Sequence, residues 1–443
     1  MRIVEGADEG RKTLLHRQAL ADTVLPDAVW KRTREVVGDV ASLEDAVHRI
    51  LRDVREQGDA AVLRYCCAFD GAEYSTLRVG QNEIRAAYEV VDPALVEQLR
   101  FAAGRIQSFH EEQRHHAMQS FRQDGIGVQV TPIARVGINA PGTAVVYPSS
   151  VLMTVLPAKA AGVEEVLLAS PTDGQGNVSP LKLVAADIAG ADGIFRMSGA
   201  QAIAAFAYGT ESVPKVDKVC GPGSVFVTLA KRAVFGDVGI DALYGPSETI
   251  VIADDSADPK LCAADLLAQA EHDELATPIL ITTSRDVAER TGDEVTRQLR
   301  LLQREAIARA AFDARGGAVV VVSLDEALAL ANEYAPEHVC LLVRDAATWA
   351  AKVRNAGGVF VGETSPEVLG DYTAGPSHAM PTSGTARFAS PLGVQEFLKA
   401  TSIVAVGEAT LRALGPATAA IAHAEGFTAH ARSIELRLDT EEQ

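Results

Sequence analysis

The sequence predicts an α/β protein built on two parallel-sheet modules with small extensions at both ends. Three observations predict it. From residue 135 onward, short apolar runs that each end at Gly or Pro alternate with helical stretches, the pattern of strands joined by right-handed crossovers. A second series of the same kind starts at residue 249. The 443 residues, 47% hydrophobic and 23% charged, have an ordinary globular composition and leave room for two to four domains, on a rough prior of about 100–200 residues each.

In chain order, residues 1–28 read as an arm too poor in apolar residues for a core of its own, so it should pack elsewhere on the molecule or on a partner subunit. Residues 29–135 read as helical: 42–70 keeps Leu43, Val47, Ile50, Leu51 and Val54 on one face. His48, His110, His115 and His116 lie among Arg, Gln and Glu and are expected to face water. RVGINAPG (135–142), VEEVLLASP (163–171), GIFRMSG (193–199) and VDKVCGPG (216–223) are the first strands, with helices over 151–162 and 199–209 between them. TIVIADD, PILITTS (278–284), AVVVVS (318–323), VCLLV (339–343) and GGVFVG (357–362) are the second set. The first half holds too few strands to stand alone, so 29–136 is expected to pair with 245–388, with 137–244 as an inserted module. After 389 come short helices and a final alternating run, RSIELRLD, that predicts a strand.

The formal charge of −18, with no basic stripe, argues against nucleic acid as a partner. No apolar run reaches the roughly 18–20 residues of a membrane helix, and MRIVEGADEGRK lacks the order of a secretory signal, so a cytoplasmic protein is expected. Cys66, Cys67, Cys220, Cys262 and Cys340 are odd in number and never spaced CxxC, which predicts reduced, mostly buried thiols.

The chemistry concentrates in four polar clusters: QAEH (269–272), YAPEH (334–338), GDYTAGPSH (370–378) and HAEGFTAH (423–430). Gln269 and His272 fall three apart on a predicted helix that Asp258 caps and Pro259 opens, so both face one way. Together the clusters offer His272, His338, His378, His423, His430, Glu337, Glu425, Asp371 and Gln269, a set able to hold zinc with a position left for water or substrate. Without a local HExxH motif, spacing leaves open whether these groups bind a metal or are satisfied by hydrogen bonds. Glu337 beside His338 offers a carboxylate and an imidazole for water activation and proton transfer. Ser247 sits in a glycine turn suited to substrate contact rather than nucleophilic attack, and Cys220 reads as structural. No GxGxxG follows a strand, so only GINAPG (137–142) and CGPGS (220–224) remain as glycine loops for a dinucleotide.

The stretches 198–223, 239–273, YAPEH, SPEVLGDYTAGPSHAMPT (365–382) and EGFTAH (425–430), in this order, closely resemble the histidinol dehydrogenase family over nearly the whole chain. The resemblance implies a zinc enzyme that oxidises L-histidinol through the aldehyde to L-histidine with two NAD. It implies a domain-swapped homodimer of incomplete Rossmann-like modules, with one zinc per subunit. Carried over to matching positions, Gln269, His272, Asp371 and His430 would be the zinc ligands. Glu337 would activate water for the aldehyde step and His338 would take the alcohol proton. Ser247, Glu425 and His378 would join these ligands and His338 around the substrate, Glu425 and His430 arriving from the partner's tail (389–443). Asn139, Gln201 and Ser224 would meet NAD, placing the cofactor on 137–244 and most metal and acid/base groups on the other module. Asn139, Ser224 and Tyr244 stand where the family more often has Tyr, Asn and Ala. These departures motivate an alternative, a paralogous zinc- and NAD-dependent dehydrogenase of another amino alcohol or polyol. A metal-dependent hydrolase is a further reading, since zinc, Glu and His suffice for water attack.

Overall fold

A strand that is apolar on both faces needs cover on both, and the strands here have it. The computed structural model describes residues 1–17, 27–71, 73–142 and 145–439. These form two compact units, one of residues 1–115 with 133–397 and one of 116–132 with 398–443. The part of the N-terminal arm over 18–26 lies outside the described residues.

The larger unit holds two parallel sheets. In chain order its strands are β1 (Ile3–Glu5), then β4 (Arg135–Asn139), β5 (Glu165–Ser170), β6 (Gly193–Arg196), β7 (Lys218–Cys220) and β8 (Gly239–Ile240). They are followed by β9 (Glu248–Ala253), β10 (Thr277–Thr282), β11 (Gly317–Val320), β12 (His338–Leu342) and β13 (Gly358–Val361). The smaller unit supplies β2 (Phe121–Gln123), β3 (Ile126–Pro132) and β14 (Leu398–Val404).

The two sheets share one topology. The first runs β6-β5-β4-β7-β8, and the second runs β11-β10-β9-β12-β13 with β1 added beside β11. Counted within each module, both orders are 3-2-1-4-5, the doubly wound order of a dinucleotide-binding fold less its sixth strand. Every residue of β9, β10 and β12 is buried. Val251, Leu280, Ala318 and Cys340 point into a core with the helices Pro259–Ala270 and Arg285–Leu299. Ile250, Ile252, Ile281 and Leu341 point the other way, towards the helix Leu324–Tyr334. This period-two split puts one apolar run in two cores.

Several expectations need correction. The helices Asp27–Val37, Leu43–Gln57 and Asp59–Asp70 bury Val47, Ile50, Leu51, Val54, Val62 and Tyr65 against Ile203, Phe206 and Val219. The helical region to 70 therefore packs on the β4–β8 module rather than pairing with 245–388, because its apolar faces meet the outer faces of the helices Gly199–Tyr208 and Val225–Val234 that cover that sheet. The stretch 42–70 is two helices, broken at Gly58 with φ 57°. His110 is buried, not solvated, because it falls four residues after Ile106 on the apolar stripe of the helix Pro93–His116. Residues 389–397 belong with the larger unit and 121–132 with the tail.

In the smaller unit β14-β3-β2 form an antiparallel sheet, and RSIELRLD is helical up to Leu438, in the helix Thr428–Leu438 that Asp439 ends. A Cβ on Gly415 would lie 2.9 Å from Leu438, so this glycine lets the helix Glu408–Ala424 approach its neighbour. That contact holds the last segment as helix against its local alternation. Among the described residues no helix is long and apolar enough to cross a membrane.

Candidate active site

Strand order decides where the polar clusters meet. A crossover helix returns antiparallel to the strand it follows, so the helix Pro259–Ala270 brings its C-terminus back to the amino ends of β9 and β12. Asp258 Oδ1 accepts from the Lys260 N–H at 2.9 Å and starts this helix, while Ala263, Leu266, Leu267 and Ala270 bury its apolar side. Gln269 lies in its last turn. His272 lies just beyond the helix, in a turn held by Arg304, whose guanidinium donates to Glu271 O at 2.7 Å and His272 O at 3.3 Å.

One cavity of about 500 Å³ is lined by Ser247, Gln269, His272, Glu337, His338, Asp371 and His378. Glu425 and His430 belong to the smaller unit, where both are exposed. His423 bonds Glu435 there at 2.8 Å. Among the described residues no three His, Cys, Asp or Glu side chains gather closely enough to hold a metal by themselves.

His338 opens β12, stacked on Phe360 with ring centroids 5.6 Å apart. Its Nδ1 faces the Glu248 carbonyl at 3.3 Å, and a carbonyl only accepts, so Nδ1 carries the proton. That leaves Nε2 as a bare acceptor, buried with no hydrogen-bond partner among the described residues and 3.9 Å from Asp371 Oδ1. Burial lowers the His338 pKa to about 4, with His272 and His378 adding to the effect and Asp371 opposing it. The ring is therefore neutral at ordinary pH.

Glu337 Oε2 accepts from the Glu248 N–H at 3.1 Å. Burial pushes its carboxyl well above the usual range, and the negative charges of Asp371 and Glu367 push the same way. His378 donates through Nδ1 to Asp371 O at 2.9 Å and accepts at Nε2 from Ser150 Oγ at 3.0 Å. Both its nitrogens are thus engaged, Nδ1 holding the 371 backbone and Nε2 tied to Ser150.

Glu248, Ser150 and Glu367 are participants that sequence reasoning missed. Glu248 acts through its peptide group, and its side chain pairs with Arg17 of the N-terminal arm. Glu367 is fully buried, accepting from Thr249 Oγ1 at 2.9 Å. GPSE and SPEV carry no spacing that singles these carboxylates out. Only their burial does.

A second cavity, of about 480 Å³, lies at the carboxyl ends of β4 and β7. This is the switch point of the five-stranded sheet, where strand order reverses. Asn139, Gln201 and Ser224 all line it. Asn139 Nδ2 donates to Pro222 O at 2.7 Å, while Asn139 Oδ1 is buried with no hydrogen-bond partner among the described residues. Pro141, Gly223 and Ser224 line both cavities, so the two share a wall. Tyr244 lines the first cavity, and Cys220 is a fully buried thiol whose pKa burial raises well above its usual value, a structural residue as expected.

A switch-point cavity sharing a wall with a cleft of carboxylates and imidazoles, on two doubly wound sheets, is the architecture of an α/β enzyme. Residues 33–438 match the histidinol dehydrogenase family. The chain is 45% identical over 439 residues to a histidinol dehydrogenase of Dehalococcoides mccartyi, covering 99% of this chain and 100% of that protein. It is 50% identical over 395 residues to that of Moorella thermoacetica, covering 88% and 93%. The crystal structure of histidinol dehydrogenase from Elizabethkingia anophelis superposes with a TM-score of 0.87 at 32% identity, covering 100% of this chain and 99% of that one. The chain belongs to the histidinol dehydrogenase family.

Proposed function

We propose that the chain oxidises L-histidinol through L-histidinaldehyde to L-histidine, reducing two NAD, with zinc positioning the substrate. The observation that carries this reading is the bare His338 Nε2 in a cavity whose wall is shared with the switch-point cavity. A proton acceptor on one side of that wall and a dinucleotide site on the other are what alcohol oxidation requires.

The residues fit both groups. Gln269 Oε1 is buried without a partner, which costs stability unless something binds it. His272 commits Nδ1 to Ala268 O at 2.9 Å, leaving Nε2 free as a ligand. With Asp371 these would hold zinc, and His430 of a partner subunit would complete the shell. Bound zinc would supply a positive charge that anchors the substrate's nitrogen atoms and offsets Asp371 and Glu367 against Glu337. Asn139, Gln201 and Ser224 would hold NAD, which supplies the hydride acceptor that no side chain can be. The unpartnered Asn139 Oδ1 suits a ligand N–H.

His338 Nε2 takes the hydroxyl proton in the alcohol step. Glu337, in its ionised form, takes a proton from the water that adds to the aldehyde. His378 and Ser150 keep Asp371 in place, and Ser247 borders the substrate. Exposed Val404, Leu414, Ile421 and Phe427 on the smaller unit support its docking on a second copy, which would bring Glu425 and His430 to that copy's site. Steady-state assay with L-histidinol and NAD tests the proposal. Two reduced nicotinamides per histidine are expected, and turnover of a different alcohol without histidine formation would overturn it.

A further inference from the structure

The switch-point cavity lacks the glycine fingerprint that usually cradles a diphosphate, so something else must hold its rim. The rim is made by two loops, residues 139–142 after β4 and 221–224 after β7. Each loop is clamped from behind by a buried lysine. Lys231 donates to Gly221 O at 3.1 Å, and its charge is matched by Asp241, both side chains being 1% exposed. Asp241 also accepts from the Gly221 N–H at 2.8 Å and from the Tyr244 hydroxyl at 2.9 Å. That clamp is electrically neutral.

Lys182 differs. It lies in the helix Pro180–Ala189 after β5, is 1% exposed, and donates to Pro141 O at 2.6 Å and Gly142 O at 2.8 Å. Among the described residues it makes no ion pair with a carboxylate. Two carbonyl dipoles do not replace the hydration an ammonium loses on burial, and burial lowers its pKa to about 8. A cation with no carboxylate partner among the described residues is thus kept one peptide behind the cavity wall, where its field reaches an anionic occupant with little screening.

We infer that Lys182 is a positioning residue for the dinucleotide: it fixes the Pro141–Gly142 turn that rims the cavity and sets a positive charge behind it that favours a diphosphate-bearing ligand. The inference rests on the reading that this cavity takes NAD. Lys182→Met removes charge and donor at nearly constant length, and Lys182→Gln removes the charge while keeping a donor should the Met variant not fold. Titration calorimetry with NAD and, separately, with L-histidinol on the full-length protein gives the readout, with Gln201→Ala as a companion. A Kd for NAD weakened about tenfold is expected, with the Kd for L-histidinol changed much less. In turnover, KM for NAD should rise while kcat at saturating NAD holds. If Gln201→Ala weakens NAD binding and neither Lys182 variant does, the role given to Lys182 is wrong while the cavity assignment stands. If none of the variants affects NAD binding, both fall.

Discussion

At the scale of single residues, the site's chemistry is decided by which lone pairs are left over. His338 has one nitrogen committed to a peptide carbonyl and one facing the cavity, so its accepting atom is set by the backbone of Glu248. Glu337 sits next to it with a carboxyl that burial keeps hard to ionise. Glu337→Gln should therefore lower the aldehyde step by roughly 10²–10⁴-fold, the range of a lost general base. Alcohol oxidation should fall much less. Single-turnover rates with L-histidinol and with L-histidinaldehyde separate the two, and equal losses would contradict the role. His272→Asn should strip zinc and abolish activity with little effect on the fold, and an unchanged metal content by elemental analysis would refute the ligand assignment. That Glu337, His338, Gln269 and His272 would share one cavity was legible because they stand as polar clusters in apolar surroundings. Glu248 was not, since it contributes its peptide group, and peptide groups carry no sequence signal.

At the scale of elements, the strands were legible because continuous apolar runs of this length have few alternatives to a covered parallel sheet. The tail was not: RSIELRLD alternates like a strand yet is helix, because packing against Gly415 outweighs a weak local preference. Within β4, a Cβ on Gly137 would sit 2.6 Å from the Phe206 ring. Gly137→Val should cost about 1–3 kcal/mol from overpacking, read by urea denaturation, and an unchanged midpoint would mean that the sheet and helix are not in contact there. On the helix Pro259–Ala270, burial raises the Asp265 pKa from 3.8 to about 6. The folded state then binds the proton more tightly than the unfolded chain. Stability is lost as pH rises from about 4 to about 6, and the penalty is complete above that. Asp265→Asn should gain up to about 3 kcal/mol over the parent on moving from near pH 4 to near pH 7.5. The same stability difference at both pH values would disprove the burial effect.

At the scale of the whole molecule, two sheets of one topology present opposite ends to the wall they share. In open α/β sheets ligands generally bind beyond the carboxyl ends of the strands. The β4–β8 sheet follows that rule, while Ser247, Glu337 and His338 lie at the amino ends of β9 and β12. If the tail completes a partner's site, two inactive variants, His272→Asn and His430→Asn, should regain part of the activity when refolded together. The hybrid carries one intact site. Mixed dimers verified by mass spectrometry that stay inactive would remove the shared-site idea.

The residues alone determined the α/β class, the alternation of strand and helix, and the resemblance carried by five ordered motifs. These depend on local hydrophobic pattern and on side-chain type, which a chain displays along its length. Tertiary structure alone decided which module the first helices cover, that His110 is core, which nitrogen of His338 is bare, and that the buried Lys182 holds the Pro141–Gly142 turn with no carboxylate partner among the described residues. Those are properties of contacts between segments up to hundreds of residues apart, and burial, which sets the cost of each unsatisfied or charged atom, exists only once the segments have met.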